Sequence, residues 1–184
     1  MRLGFAHEVQ IRTDAKRLPL LLSVCDTVTT ELSELEKQGI IEGVDSSEWI
    51  SPIVVTRRKN GKICMCVDMR DPNKAVVPDS HPLPLIEDVL AELRGSTMYS
   101  TLDLKNAYHQ LELHEESRGL TAFITHEGLY RNRRVPYGLS SAPAAFQKMM
   151  TKILSGLKGV KCYLDYVIIY GPSQEEHDAN SGGW

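Results

Sequence analysis

The chain has 184 residues, 42% hydrophobic and 24% charged, with a net charge of −3. These values suit one globular domain, or one domain with a lobe, and exclude binding to polyanions through overall basicity, though not through a local basic patch. No apolar run approaches the roughly 18 residues of a membrane span, no signal peptide opens the chain, and Cys25, Cys64, Cys66 and Cys162 form no C-x-x-C pair, so the expectation is an intracellular protein with reduced thiols.

Residues 1–26 show no period and read as an irregular arm. Val28, Leu32 and Leu35 then fall at i, i+4 and i+7, with Thr27 as a candidate cap and Gly39 as a stop, which predicts a short amphipathic helix. "SPIVVTRRKNGKICMCVDM" reads as a hairpin turning at Asn60-Gly61, with Ile63, Met65 and Val67 on one face of its second strand. The proline-rich "DPNKAVVPDSHPLP" predicts a loop, and "LIEDVLAELRG" a helix ending at Gly95. "TMYSTLDL" predicts a strand with Asp103 near its end, and "KNAYHQLELH" a helical turn followed by another strand. "TAFITHEGLYRNRRV" predicts a second hairpin turning at His126–Gly128.

"SSAPAAFQKMMTKILSGLKG" carries an apolar stripe of Phe146, Met149, Met150, Ile153, Leu154 and Leu157. With Ser140 or Ser141 as cap and an early proline, it predicts the longest helix. "VKCYLDYVIIYG" predicts a tight hairpin carrying Asp165, followed by a polar tail. Helices interleaved with several hairpins predict an α+β fold with an antiparallel sheet.

Asp103 and Asp165 each end a predicted strand in apolar surroundings. Two carboxylates meeting on neighbouring strands would repel unless a cation lay between them, and hard oxygen ligands of this kind suit magnesium. The simpler reading is that strand-end aspartates cap turns or face water. Spacing alone favours the simpler reading.

The motifs "EWISPIVV", "KICMCVDMRDPNK", "HPLPLIEDVL", "STLDLKNAYHQ", "VPYGLSSAPAAFQ" and "CYLDYVIIYG" stand in one order between about Leu32 and His177. In that order and spacing they resemble the reverse transcriptase of gypsy-type long-terminal-repeat retrotransposons. The resemblance implies the right-hand polymerase fold: fingers at about 27–90 and 115–135, palm at about 91–114 and 136–178 with an antiparallel sheet, no thumb before the chain stops, and a tail over 179–184. It implies RNA-directed DNA polymerase chemistry with two Mg ions, an RNA/DNA primer–template and a dNTP as partners.

By the same resemblance Asp103 and Asp165 are catalytic metal ligands, and Tyr108 stacks under the incoming sugar. Tyr137 and Gly138 line the nucleotide and template base, Lys62 reaches the nucleotide, and Arg57, Arg58 and Lys59 reach the template. Outside the resemblance, Tyr108 reads as a core aromatic, Tyr137-Gly138 as a plain turn, and the basic group as a solvated hairpin tip.

The chain departs from the family pattern in three places. Tyr166 stands where the second aspartate of the Tyr-x-Asp-Asp box belongs, and a phenol is neutral at pH 7. Cys64 replaces an arginine that grips phosphates bidentately. Asn132 replaces an aromatic. Losses at functional positions in a well-matched frame imply a degenerate, truncated copy. The expected function is therefore a reverse transcriptase fragment impaired in catalysis. The alternatives are an active polymerase with its thumb supplied elsewhere, and a retained module that binds nucleic acid or protein.

Overall fold

The computed structural model describes residues 22–57, 63–77 and 81–182. In chain order its elements are α1 (Leu22–Lys37), β1 (Ile41–Gly43), β2 (Ser51–Arg57), β3 (Ile63–Val67), α2 (Pro72–Ala75), α3 (Ile86–Glu92), β4 (Met98–Asp103), α4 (Glu115–Arg118), β5 (Phe123–Ile124), β6 (Leu129–Asn132), α5 (Ala142–Ile153), β7 (Val160–Tyr163), β8 (Tyr166–Gly171) and α6 (Gln174–Ser181). Two short 3₁₀ turns, Ala107–Gln110 and Gly119–Thr121, join them. The chain divides into two compact units, Met1–Pro78 with Tyr108–Ala142, and Asp79–Ala107 with Pro143–Trp184.

In the first unit, α1 starts five residues before the expected cap at Thr27. Val24 extends the Val28–Leu32–Leu35 stripe by one turn and packs on the same core, so residues 22–26 are helix rather than arm. The arm expected over the preceding residues lies outside those described. The helix ends at Gly39, whose φ is +67°. Gly39 N–H donates to the Glu36 carbonyl and Ile40 N–H to the Leu35 carbonyl, both at 2.9 Å, which is the Schellman arrangement a left-handed glycine permits.

Five strands follow the order β1-β6-β5-β2-β3. β2 and β3 pair antiparallel as the hairpin pattern predicts, with Met65 and Val67 packed on the α1 core; the Asn60-Gly61 turn falls outside the described residues. β2 runs parallel to β5, so this sheet is mixed rather than antiparallel throughout. A second core gathers Ala75, Val76, Leu113, Leu120, Val135, Leu139 and Ala142.

Two further segments differ from the pattern expected of them. The loop at Asp71 contains one helical turn, α2, started by Pro72, whose fixed φ suits the first helical position. The strand expected after the Ala107 turn reduces to a single bridge between Glu112 and Arg134.

The second unit is built on a three-stranded antiparallel sheet, β4-β8-β7, with α5 and α6 tied to its core face through Gln147 and His177. Val160 pairs with Ile169 and Cys162 with Val167, and all four are buried, so period-2 alternation puts one face of β7 and β8 in the core. Asp103, Thr101 and Tyr99 belong by register to the opposite face and are exposed, as is Tyr166.

Helix α5 buries Phe146 and Met150 but stops at Ile153, leaving Leu157 beyond its end, so at 12 residues it is shorter than the 16-residue α1. Ser141 does not cap it; its buried hydroxyl has no hydrogen-bond partner.

The expected tail is helix α6. Ser173 Oγ accepts from Glu176 N–H at 3.3 Å, and Glu175 and Glu176 fill the first turn, where negative charge suits the helix dipole. Buried His177 meets Ser100 Oγ at 3.0 Å and docks α6 on the core face of β4. A Cβ at Gly171 would stand 2.6 Å from His177 N. Gly171→Ala is therefore expected to push α6 off the sheet and destabilise the chain by about 1–3 kcal/mol, the usual range for overpacking. Urea denaturation, with hydrogen exchange localising the loss to α6, checks this; an unchanged midpoint would refute the close approach.

Candidate active site

The hairpin β7–β8 closes on a two-residue turn, Leu164-Asp165, with Tyr163 and Tyr166 as the last cross-strand pair. Leu164 has φ +54°, whereas Asp165 is not in the positive-φ region. That sign pattern belongs to a type II′ turn, where glycine is the usual first residue. A leucine there is an uncommon backbone outlier and must be held by its surroundings.

Three contacts hold it. Leu164 N–H donates to Gln147 Oε1 at 3.0 Å, Cys162 Sγ approaches the Leu164 carbonyl at 3.2 Å, and Leu104 N–H donates to the Asp165 carbonyl at 2.9 Å. Burial and the charge of Asp165 push the Cys162 thiol up to about 11, so it stays protonated and able to donate.

Register decides what stands beside Asp103. Its cross-strand partner on β8 is Tyr166, and Asp165 is one residue further along the turn, joined by the Leu104 bond. Asp103 is exposed and Asp165 half-buried. The sheet thus brings the backbones carrying both aspartates together, with Tyr166 on the same face as Asp103. Nothing in the structure explains the choice of tyrosine. Among the described residues, no three His, Cys, Asp or Glu side chains gather as a metal-binding group.

The first unit carries the other candidates. Tyr108 packs against the core of Leu113, Leu139 and their neighbours, and its ring lies 5.1 Å from that of Tyr137 at 57°. It is a partly buried core aromatic and also a ring partner of Tyr137. Tyr137 is 48% exposed. His109 meets the Tyr137 ring edge-on at 5.1 Å; burial lowers its pKa, which keeps the imidazole neutral at pH 7.

Gly138 has φ +88°, so the Tyr137-Gly138 turn needs its glycine. Asn73 clamps this turn from α2: its Nδ2 donates to the Gly138 carbonyl at 2.9 Å, and its Oδ1 accepts from Ser140 N–H at 2.8 Å. Beside it a cleft of about 320 Å³ is lined by Val54, Val67, Asp68, Met69, Arg70, Asn73 and Gly138. The Arg70 guanidinium bonds both Asp68 oxygens and holds that carboxyl below the usual range.

Asn73, Gln147, Asp68 and Arg70 were not singled out from the sequence. Asn73 and Gln147 stood inside quoted motifs, but the tie each makes spans residues far apart in the chain. Of the basic group, Arg58, Lys59 and Lys62 lie outside the described residues. Arg57 and Cys64 are placed by backbone alone, paired with Ile63 and Thr56 across the β2–β3 ladder. Asn132 has a structural role: buried, it donates from Nδ2 to the Thr121 carbonyl at 3.0 Å and from its N–H to Thr121 Oγ1 at 3.1 Å.

An open three-stranded sheet with an aspartate at a strand end beside a carboxylate-bearing turn is the arrangement of a nucleic-acid polymerase palm. Solved structures agree on the fold. The protease–reverse transcriptase of prototype foamy virus superposes with a TM-score of 0.86 at 23% identity, covering 98% of this chain and 24% of that one. The foamy viral enzyme in complex with an RNA/DNA hybrid gives 0.82 at 20% identity, over 97% of this chain and 25% of that one.

The family described as reverse transcriptase (RNA-dependent DNA polymerase) matches residues 57–181, and the chain belongs to it. K02A2.6 of Caenorhabditis elegans is 43% identical over 182 residues, and the transposon Tf2-3 polyprotein of Schizosaccharomyces pombe is 36% identical over 183. The match takes in 94% and 95% of this chain, which spans 14% of each of these curated relatives, about one-seventh of their length. No helix among the described residues is long and apolar enough to cross a membrane.

The Asn73 clamp yields a test. Asn73→Asp keeps the acceptor for Ser140 N–H but sets a carboxylate oxygen against the Gly138 carbonyl. A loss of about 0.5–1.5 kcal/mol is expected, the net worth of one ordinary hydrogen bond at an exposed turn. Thermal unfolding should show this loss shrinking as pH falls and the carboxyl protonates, since only the protonated form can donate again. Equal stability of Asn73→Asp and the unmodified chain at pH 7 would refute the clamp.

Proposed function

We propose that the chain is the fingers and palm portion of a gypsy-type retrotransposon reverse transcriptase, that it engages a primer–template and a dNTP, and that its templated DNA synthesis is impaired. Most of the segment read as fingers, about 27–90 and 115–135, falls in the first unit; of the segment read as palm, about 91–114 and 136–178, the β4-β8-β7 sheet falls in the second unit, while Tyr108–His114 and Pro136–Ala142 fall in the first. The transposon polyproteins among its relatives support the retrotransposon origin. The foamy viral structures solved with double-stranded DNA and with an RNA/DNA hybrid support the nucleic-acid partners.

The observation that carries the impairment is the register Asp103↔Tyr166. Beside Asp103 stands a neutral phenol where the family has a carboxylate. The donor set offers two carboxylates, Asp103 and Asp165, which suit one Mg ion whose other sites take water and substrate phosphate; a pair of ions is one carboxylate short. When bound, magnesium would supply charge stabilisation to in-line phosphoryl transfer.

The chain's own residues do the rest. Asp103 and Asp165 set negative charge at the open face of the palm sheet. Tyr137-Gly138, held by Asn73, forms the floor for nucleotide and template base, with Tyr108 beside it as the sugar-facing ring. The basic group from Arg57 to Lys62 meets template and triphosphate. Cys64 offers no phosphate grip in place of arginine, a loss of about 1.5–3 kcal/mol for a charge-assisted contact.

Primer extension on the purified chain tests the reading. The unmodified chain is expected to show no incorporation above an Asp103→Asn control. Tyr166→Asp alone should restore little, because phosphate grip and metal charge act on one step. Tyr166→Asp with Cys64→Arg should exceed Tyr166→Asp by on the order of 10–100-fold. Robust extension by the unmodified chain would overturn the impairment and support an active polymerase. Retention of an RNA/DNA hybrid without extension in any variant would support a binding module.

Calorimetry provides a second check. Magnesium should bind the unmodified chain weakly in the absence of nucleotide, and Tyr166→Asp should tighten it by about 10-fold or more, since even ligands outside the inner sphere contribute roughly that much. Tight magnesium binding by the unmodified chain would contradict the donor count.

A further inference from the structure

We infer that Gln147 is a positioning residue for the palm hairpin: its carboxamide imposes the left-handed turn at Leu164 and thereby sets where Asp165 stands relative to Asp103. The inference deepens the palm reading above and rests on it for its catalytic meaning, though not for its structural content.

Gln147 lies on α5 and is 3% exposed. An amide so deeply buried is costly unless both of its ends are bonded. Here both are. Oε1 accepts from Leu164 N–H at 3.0 Å, and Nε2 donates to the Cys162 carbonyl at 3.1 Å, with Thr151 Oγ1 at 3.4 Å.

The two backbone groups it joins flank Tyr163, at the last step of β7 before the turn. Leu164 stands at φ +54°, where residues with a Cβ are rarely found. Two bonds from one rigid planar group, on a helix packed in the core, supply a restraint that the turn residues lack.

Only a carboxamide fits both partners at once. A carboxylate would accept from Leu164 N–H but face the Cys162 carbonyl with a lone pair, and an apolar isostere would leave both backbone groups unpaired.

The consequence reaches the aspartates through the chain. The Asp165 carbonyl accepts from Leu104 N–H at 2.9 Å, next to Asp103. A turn that relaxes out of the left-handed region at Leu164 rotates the following peptide, and with it both this bond and the Asp165 side chain. Gln147 itself reaches the site only through that backbone, so it positions rather than reacts.

The test uses the 184-residue chain with Q147M, of similar volume and apolar, and Q147E, of the same shape with the acceptor kept. Amide hydrogen exchange is read at Leu164 and across the β4-β8-β7 sheet. Mn²⁺ binding is read by water proton relaxation, with Asp103→Asn as the reference for binding at the site.

In Q147M the Leu164 amide should exchange about tenfold faster or more, as for one lost hydrogen bond, while Val167 and Ile169 on β8 keep their protection. Mn²⁺ affinity should fall roughly 10–100-fold, as for loss of a residue that orients a ligand. In Q147E the Leu164 protection, corrected for intrinsic exchange, should recover as pH falls and the carboxyl regains a proton to donate to Cys162. Q147M should show no such recovery.

Unchanged Leu164 exchange in Q147M would overturn the inference. So would an equal loss of protection throughout the sheet, because Gln147 would then serve general packing. If the unmodified chain binds no Mn²⁺ above the Asp103→Asn reference, the metal reading of the palm fails, and the exchange measurements still decide the role of Gln147.

Discussion

The antiparallel register of β4 against β8 is the constraint on which the palm unit depends. It pairs Met98 with Gly171 at one end and Asp103 with Tyr166 at the other. Because side chains alternate with a period of two, this one register sends Val167 and Ile169 into the core and leaves Asp103 and Tyr166 on the open face. A one-residue slip of β8 would expose Val167 and Ile169, and one of β4 would turn Asp103 toward the core. Burial of Val167 and Ile169 and exposure of Asp103 follow from the same ladder of backbone bonds.

Each unit then solves the same local problem in the same way. A turn in each unit holds a residue at positive φ, Gly138 in one and Leu164 in the other, and beside it stand an N–H and a carbonyl that bond a side chain. A primary amide from a helix, Asn73 or Gln147, bonds one of each. A carboxamide carries a donor and an acceptor side by side, which no other neutral side chain offers in so small a planar group. Glycine reduces the strain at Gly138; at Leu164 the clamp has to overcome it.

The departures from the family pattern differ in kind once packing is seen. Asn132, in place of an aromatic, is a buried amide with both of its observed donors bonded to Thr121, and burial of a satisfied polar group is compatible with a stable core. Tyr166 has no such account. It is half exposed and stands opposite an aspartate.

The amino-acid sequence by itself determined the α+β class, the strand that ends at Asp103, the stop of α1 at Gly39, and the hairpins β5–β6 and β7–β8, though Asp165, expected at a strand end, stands in the turn between β7 and β8. These rest on signals local in the chain: periodicity, turn residues and motif order. It also contained the Ser173-x-x-Glu176 cap of α6, which a polar, weakly amphipathic segment obscured; that helix gains its place from His177 against Ser100 rather than from an apolar stripe.

Only the tertiary structure decided the rest. It made Tyr166, not Asp165, the residue paired across from Asp103, turned β2 parallel to β5, and brought Gln147 to a leucine 17 positions away. Each of these depends on which backbone groups meet across the fold, and a buried donor finds its acceptor by proximity in space, which the spacing of residues along the chain does not encode.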